Sequence, residues 1–189
     1  MDEELRVAVL VASTREGRVG GEIGRWFVER AAGHGGVALD VLDLATFAIP
    51  ARLPAEPTAG MAGFAKRIAA AEAYVVVTPE YNRSFPASLK QAIDCAYEEW
   101  RAKPVGFVSY GYRAGGRYAV EHLRDVFTEL HTATVRDSVC LDLLEHECGD
   151  PGAGPHGESA GHAASALLDE LIWWGLALRD GRRARPYRG

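Results

Sequence analysis

The sequence predicts an α/β domain: a parallel sheet with helices over both faces. Two observations carry this. Along the 189 residues, five apolar, strand-like runs alternate strictly with five helix-period segments, the pattern of strands joined by crossover helices. The first run, Leu5 to Ala12, is almost continuously apolar and rich in valine, as in a strand buried on both faces. The length suits one domain with a sizeable core, expected over residues 1–181 with a basic tail at 182–189.

The elements follow in order. After the first strand, Gly20 to Ala32 places Ile23, Trp26, Phe27 and Ala31 at helical spacing. Val37 to Leu44 alternates as a second strand. Ala45 to Gly60 carries Pro50, Pro54 and Pro57 and reads as a long loop. Met61 to Glu72 sets Met61, Phe64, Ala65 and Ile68 on one helical face, and Ala73 to Thr78 is a third strand ended by Pro79. Pro86 to Trp100 is expected as one helix, with Leu89, Ala92, Ile93, Ala96, Tyr97 and Trp100 in a single stripe and Pro86 in its first turn. Val105 to Tyr110 is a fourth strand, Gly111 to Gly116 a loop, and Tyr118 to His131 a helix with Leu123, Val126, Phe127 and Leu130 inward. Ala133 to Leu143 is a fifth strand. Glu145 to Gly161, rich in Gly, Pro and His, reads as a mobile loop, and His162 to Leu178 as a last helix.

Composition narrows the function. A formal charge of -5 gives no broad footprint for nucleic acid, so any anion site is built locally. No apolar run reaches the ~18–20 residues that span a bilayer, and the acidic start Met1-Asp2-Glu3-Glu4 does not read as a secretory signal. Cys95, Cys140 and Cys148 are an odd set without a CxxC pair, which points to a reducing cytoplasm rather than a disulfide framework.

In doubly wound sheets, ligands sit at the carboxyl ends of the strands, where strand order reverses. The loops after the first, third and fourth strands qualify. The first runs Ser13-Thr14-Arg15-Glu16-Gly17-Arg18-Val19-Gly20-Gly21 into a helix. A helix N-terminus offers free N–H groups and roughly half a positive charge. Ser13 and Thr14 add hydroxyls, Arg15 and Arg18 add guanidinium donors, and the glycines allow close backbone approach. Together these make a candidate phosphate site. The loop is neither a GxGxxG fingerprint nor a GxxxxGK[ST] P-loop. Its plainer reading is a helix start with two solvated arginines.

The third-strand loop reads Pro79-Glu80-Tyr81-Asn82-Arg83-Ser84-Phe85-Pro86-Ala87-Ser88-Leu89-Lys90-Gln91-Ala92-Ile93-Asp94. Here the chain resembles the NAD(P)H-dependent FMN reductase family, whose loop reads P-E-Y-N-x-[SG]-x-P-x-x-L-K-N-A-[IL]-D; Gln91 stands where the family usually has Asn. Ser13-Thr14-Arg15 is similar to that family's phosphate loop, although many members carry Ser or Asn where this chain has Gly17, Arg18, Val19 and Gly20. Ser109-Tyr110-Gly111 with Gly115-Gly116 is similar to its fourth-strand glycine loop. The likeness runs over roughly residues 5 to 131.

The resemblance implies a flavodoxin-like three-layer α/β/α sandwich with strand order 2-1-3-4-5, FMN as cofactor, and NADPH or NADH as electron donor. It implies that Ser13, Arg15, Arg18, Val19 and Gly20 hold the phosphate. Main-chain groups from Glu80 to Ser84, with Asn82 among them, would meet the polar edge of the isoalloxazine while Pro79 and Tyr81 cover ring surface. Ser109, Tyr110, Gly111, Gly115 and Gly116 would wall the pocket. Hydride transfer to such a flavin needs alignment rather than a protein acid or base, so no catalytic side chain is expected. The acceptor would be a small molecule such as free flavin, a quinone or an azo compound. A homodimer or homotetramer is implied as well. Taken singly, Pro79 ends a strand, Glu80 pairs locally and Asn82 turns on its own backbone. An electron carrier or flavin-linked regulator stays open. Flavodoxins, however, have a Ser/Thr-rich phosphate loop and lack the Pro-Glu-Tyr-Asn segment.

Other features are weaker. Tyr112 and Arg113 either wall the pocket, with Arg113 toward a nucleotide phosphate, or are merely exposed. His146, Cys148, His156 and His162 fit no zinc spacing, and no metal is expected. Arg179, Arg182, Arg183, Arg185 and Arg188 form a basic C-terminal tail, open to contact with a cofactor phosphate, a partner chain or nucleic acid, and by default solvated. Trp173 and Trp174 are adjacent on a helix and cannot point the same way, so one is free for a subunit interface.

Overall fold

The computed structural model describes residues 4–146 and 157–188. Its five strands are β1 (Leu5–Val11), β2 (Val37–Asp43), β3 (Ala73–Pro79), β4 (Pro104–Gly111) and β5 (Ala133–Asp142). They form one parallel sheet in the order β2-β1-β3-β4-β5. The helices are α1 (Gly20–His34), α2 (Ala59–Ala70), α3 (Ala87–Ile93), α4 (Arg117–Glu129), the single turn α5 (Leu143–His146) and α6 (Gly157–Ala184). The strand order is that of the flavodoxin-like fold, as expected.

Alternation along the central strands builds two cores. Val7, Val9, Val75, Val77 and Val108 face α1 and α6, where Ile23, Phe27, Leu167 and Leu171 meet them. Leu10, Tyr74, Val76 and Phe107 face the other way, against Phe64 and Ile68 of α2, Leu89 and Ile93 of α3, and Leu123 and Phe127 of α4. A β-strand presents successive side chains to opposite faces, so β1 and β3 feed both cores and contain almost no polar residue. Helix α6 lies so close to the sheet that a Cβ at Gly175 would overlap the Leu5 side chain.

Two helices differ from expectation. The span from Pro86 to Trp100 is not one helix. Helix α3 ends at Ile93, a turn follows, and Glu98–Trp100 is a single 3-10 turn. Trp100 explains the break. Its ring is fully buried and packs edge-on to Tyr74 at 4.7 Å and Phe127 at 5.5 Å. Its Nε1–H donates to the carbonyls of Ile93 and Ala96 at 3.1 and 3.0 Å. A straight helix would not return the indole to its own last carbonyls; the turn does, and satisfies groups a helix end leaves open. Tyr97, expected inward, is half exposed instead.

The last helix is longer than expected. It begins at Gly157, within the segment expected as a mobile loop, and runs through Ala184. Residues 147–156 of that segment, with Cys148 and His156, lie outside the described residues. The arginines at its end are not simply solvated. Arg179 is buried and reaches Glu72 at 3.7 Å, and Arg182 donates to the Ala102 carbonyl. Tyr187 continues the contact, its hydroxyl 2.9 Å from His131 Nδ1. The basic stretch from 182 thus starts inside α6 and folds back on the domain.

Trp100→Ala should lower unfolding free energy by about 3–5 kcal/mol, the cost of a large aromatic cavity. Trp100→Phe, which keeps ring packing but removes the indole donor, should lose clearly less. Urea denaturation of the two variants checks this ordering, and a loss under about 1 kcal/mol for the alanine variant contradicts it.

Candidate functional site

The carboxyl ends of β1, β3 and β4 open on one cleft of about 370 Å³. It is lined by Ser13 and Arg15 to Val19 from the first loop, Pro79 to Tyr81 from the third-strand loop, Tyr110 to Tyr112 from the fourth, and Leu143 at the start of α5. Among the residues expected from sequence, Ser13, Arg15, Arg18, Val19, Pro79, Glu80, Tyr81, Tyr110 and Gly111 meet there. Gly20, Asn82, Ser84, Ser109, Gly115 and Gly116 stand behind or beside the lining. Glu16 and Leu143 were missed. The position of Leu143 just past a strand's carboxyl end was the available signal.

The first loop presents an uncapped helix. Val19 precedes α1 without any side-chain cap. Among the described residues, no main-chain N–H from Gly17 to Gly21 donates a hydrogen bond. These donors, with the positive end of α1, form a cradle that suits an anion. Gly17 has φ +66°, a left-handed conformation that glycine adopts at least cost. Gly20 is small for another reason: a Cβ there would collide with the Tyr110 hydroxyl.

The two arginines of the loop have different duties. Arg15 is exposed and unpaired among the described residues. Arg18 is committed. Its Nη1 donates to the Ser13 carbonyl and to Asp43 Oδ1, both at 2.6 Å, and its Nη2 to Asp43 Oδ2 at 2.5 Å. This fork-to-fork pair ties the first loop to the end of β2. It holds the Asp43 carboxyl below the usual carboxylate range and raises the Arg18 guanidinium, the shared hydrogen bonds being the main cause in both. Arg18 therefore acts first as a strut, and the loop's available side-chain cation is Arg15.

Three hydroxyls meet beneath the cradle. Ser13 Oγ lies 3.2 Å from Tyr81 Oη. The Tyr110 hydroxyl is buried with no hydrogen bond among the described residues. Burial pushes this phenol up to about 12, and nearby Ser13 and Arg18 oppose the shift. Ser13 is thus close enough to act on the Tyr110 phenol, but only Tyr81 meets it with hydrogen-bond geometry.

The third-strand loop is fixed by its own backbone. The Glu80 N–H donates to the Tyr110 carbonyl at 2.9 Å, and Tyr81 and Ser84 exchange two main-chain bonds at 2.7 and 3.0 Å. Asn82 and Arg83 complete this tight turn at φ +50° and +65°, unusual for non-glycine residues. The Glu80 carboxylate accepts the Tyr118 N–H at 3.1 Å, anchoring the loop to the first turn of α4. Arg83 stacks on the Tyr118 ring at 3.8 Å. Gln91 donates to the carbonyls of Pro50 and Ala51 at 2.8 and 3.2 Å, joining α3 to the loop after β2.

The glycines of the fourth-strand loop serve packing. Ser109 Oγ donates to the Gly115 carbonyl at 2.7 Å. A Cβ on Gly116, at φ +83°, would come within 2.7 Å of Ser109 and of the Tyr110 backbone. Tyr112 stands at the mouth of the cleft and is 66% exposed. The Arg113 side chain has no partner among the described residues, while its N–H is held by Asp142 at 2.9 Å. Among the described residues, no His, Cys, Asp and Glu group could hold a metal ion.

The chain is similar to several known proteins. The family model for NADPH-dependent FMN reductases matches residues 5–144, through β5 and into α5. An NAD(P)H-dependent FMN reductase of Schizosaccharomyces pombe is 32% identical over 122 residues, covering 59% of this chain and 60% of that protein. The chain thus spans about 60% of that relative's length. A quinone reductase of Pseudomonas putida is 31% identical over 132 residues, covering 65% and 68%. Among solved structures, the flavoenzyme NAD(P)H:(acceptor) oxidoreductase FerB of Paracoccus denitrificans superposes with a TM-score of 0.75 at 21% identity, over 92% of this chain and 98% of that one. That likeness concerns the fold.

The Arg18–Asp43 pair predicts a pH effect. A carboxyl whose folded pKa is depressed contributes stability above its unfolded pKa, about 3.9, and loses it as pH falls through the folded value. Asp43→Asn should therefore be less stable than wild type at pH 7, with the gap closing below about pH 4. Denaturation midpoints of both proteins across that range check this. A gap independent of pH contradicts it.

Proposed function

The chain belongs to the NADPH-dependent FMN reductase family, and on that footing we propose that it is an FMN-dependent oxidoreductase. In this reading it takes reducing equivalents from NADPH or NADH and delivers them to a small-molecule acceptor such as free flavin, a quinone or an azo compound. The observation that carries it is the meeting, in one cleft, of the uncapped α1 N-terminus and the Pro79–Tyr81 segment. One offers donors for a phosphate; the other offers a flat apolar wall and main-chain groups for a ring. The buried Tyr110 hydroxyl beside the cradle, without a partner among the described residues, is a second sign that a polar ligand belongs there.

In this proposal the main-chain N–H groups of Gly17 to Gly21, with Arg15 and Ser13, hold the phosphate, and Val19 and Gly20 shape its seat. Arg18 keeps the loop in position through Asp43. Pro79 and Tyr81 border the ring, and the backbone from Glu80 through Asn82 to Ser84 meets its polar edge. Tyr110 and Gly111 close the inner wall, supported by Ser109, Gly115 and Gly116. Bound FMN would supply the hydride chemistry. The protein's share is orientation, which requires no acid or base from a side chain.

Homo-oligomerisation belongs to the same proposal. It is supported by the exposed edge-to-face pair of Trp173 and Trp174 on α6, with 63% and 40% of their surfaces free. A reducing compartment suits the free thiols of Cys95 and Cys140. Among the described residues, no helix is long and apolar enough to cross a membrane.

Purified protein should bind FMN stoichiometrically, and its yellow absorbance should bleach anaerobically with NADPH or NADH. Binding without bleaching contradicts the enzyme reading and favours a carrier or regulator. Arg15→Ala should weaken FMN by roughly tenfold, as for loss of a charge-assisted hydrogen bond, and leave riboflavin nearly unaffected. Equal losses for both flavins in fluorescence titrations would remove the phosphate role of Arg15.

A further inference from the structure

We propose that Tyr110 is a positioning residue for the phosphate of the bound flavin, acting through Ser13. The proposal rests on the FMN reading above and on how three hydroxyls share their protons. A serine hydroxyl has one proton to give and two lone pairs to receive. Ser13 Oγ has Tyr81 Oη at 3.2 Å, and its Cβ and the Tyr110 hydroxyl both crowd Gly20. The Ser13 main chain is held by the Arg18 donation to its carbonyl at 2.6 Å, so the hydroxyl can turn but the residue cannot leave.

In the structure Ser13 pairs with Tyr81, and the buried Tyr110 hydroxyl has no hydrogen-bond partner among the described residues. A phosphate oxygen on the α1 N-terminus changes the arrangement. With its proton committed to the anion, Ser13 is fixed as an acceptor, and its two lone pairs serve the phenols. Tyr81 and Tyr110 then each donate to Ser13. The anion completes a network that is otherwise one bond short, and a partly satisfied buried network is costly. Each phenol polarises the serine and strengthens its bond to the charged oxygen. Tyr110 contributes in this way although Ser13, not Tyr110, donates to the phosphate.

Two features suit the role. Burial, with a phenol pushed up to about 12, keeps Tyr110 protonated and therefore a donor through the neutral range. The absence of a Cβ at Gly20 leaves room for this hydroxyl at the first turn of α1, where a larger residue would displace it.

The test is a double-mutant cycle read as binding, by flavin fluorescence, to the full chain. Tyr110→Phe should weaken FMN by about five- to tenfold, the scale of one hydrogen bond in a charged network, and leave riboflavin within about twofold. In a Ser13→Ala background, the same substitution should have little further effect on FMN. Thermal unfolding of each variant identifies any that fail to fold. In that event Tyr110→Trp, which keeps an aromatic ring and removes the hydroxyl, takes the place of the phenylalanine variant. Equal loss of both flavins in Tyr110→Phe, or additive effects of the two substitutions on FMN, would overturn the proposal while leaving the FMN reading intact. Wild-type protein that binds neither flavin would overturn both.

Discussion

The chain leaves β1 toward one edge of the sheet and leaves β3 toward the other, and the cleft lies where these two connections part. The order β2-β1-β3-β4-β5 imposes this. Helix α1 must descend on one face and α3 on the opposite face, so the first-strand and third-strand loops part at the carboxyl edge. What lies between is open to a ligand yet floored by the most deeply buried strands of the molecule. A site placed there inherits the rigidity of two cores. The loops then need few contacts to hold their shape: the Tyr81–Ser84 pair, the Glu80 bonds, and the Arg18–Asp43 fork.

That fork bears on how a net-negative chain would offer the proposed anion site. The loop contains two arginines, but one is neutralised by Asp43 and used for geometry. The remaining attraction comes from fixed donors, the N–H groups at the start of α1, with Arg15 as the adaptable partner. Main-chain dipoles held in place lose little entropy when a ligand arrives. Glu16, also in the lining, limits the positive field. In the proposed site this would favour an anion seated in the cradle over anions in general.

Much of the fold was legible because the central strands are buried on both faces. Such strands leave an unmistakable apolar run, and Leu5–Val11 and Ala73–Pro79 follow the expected bounds closely. The break before Trp100 was not legible. The stripe from Leu89 to Trp100 is consistent with a helix, and only the tertiary demand of the indole, for a ring cluster and two carbonyls, ends it. The reach of α6 past residue 178 was hidden likewise, since Arg179 and Arg182 read as solvent-seeking until Glu72 and the Ala102 carbonyl are brought beside them. At the site, sequence order found the three loops, because motif and topology coincide there. It did not separate lining from support. Ser109, Gly115 and Gly116 brace one another, and the duty of Arg18 depends on Asp43, 25 residues away. Pairings of that kind are set by the sheet and leave no local pattern.

In the proposed complex the α1 N-terminus seats the phosphate of a flavin whose ring lies along Pro79 to Tyr81. A crystal structure of the protein with FMN tests it most directly. Phosphate oxygens are expected within hydrogen-bond distance of main-chain N–H groups between Gly17 and Gly21, with Arg15 turned inward and the Arg18–Asp43 pair intact. A flavin bound elsewhere, or a phosphate held by Arg18 after release from Asp43, would contradict it.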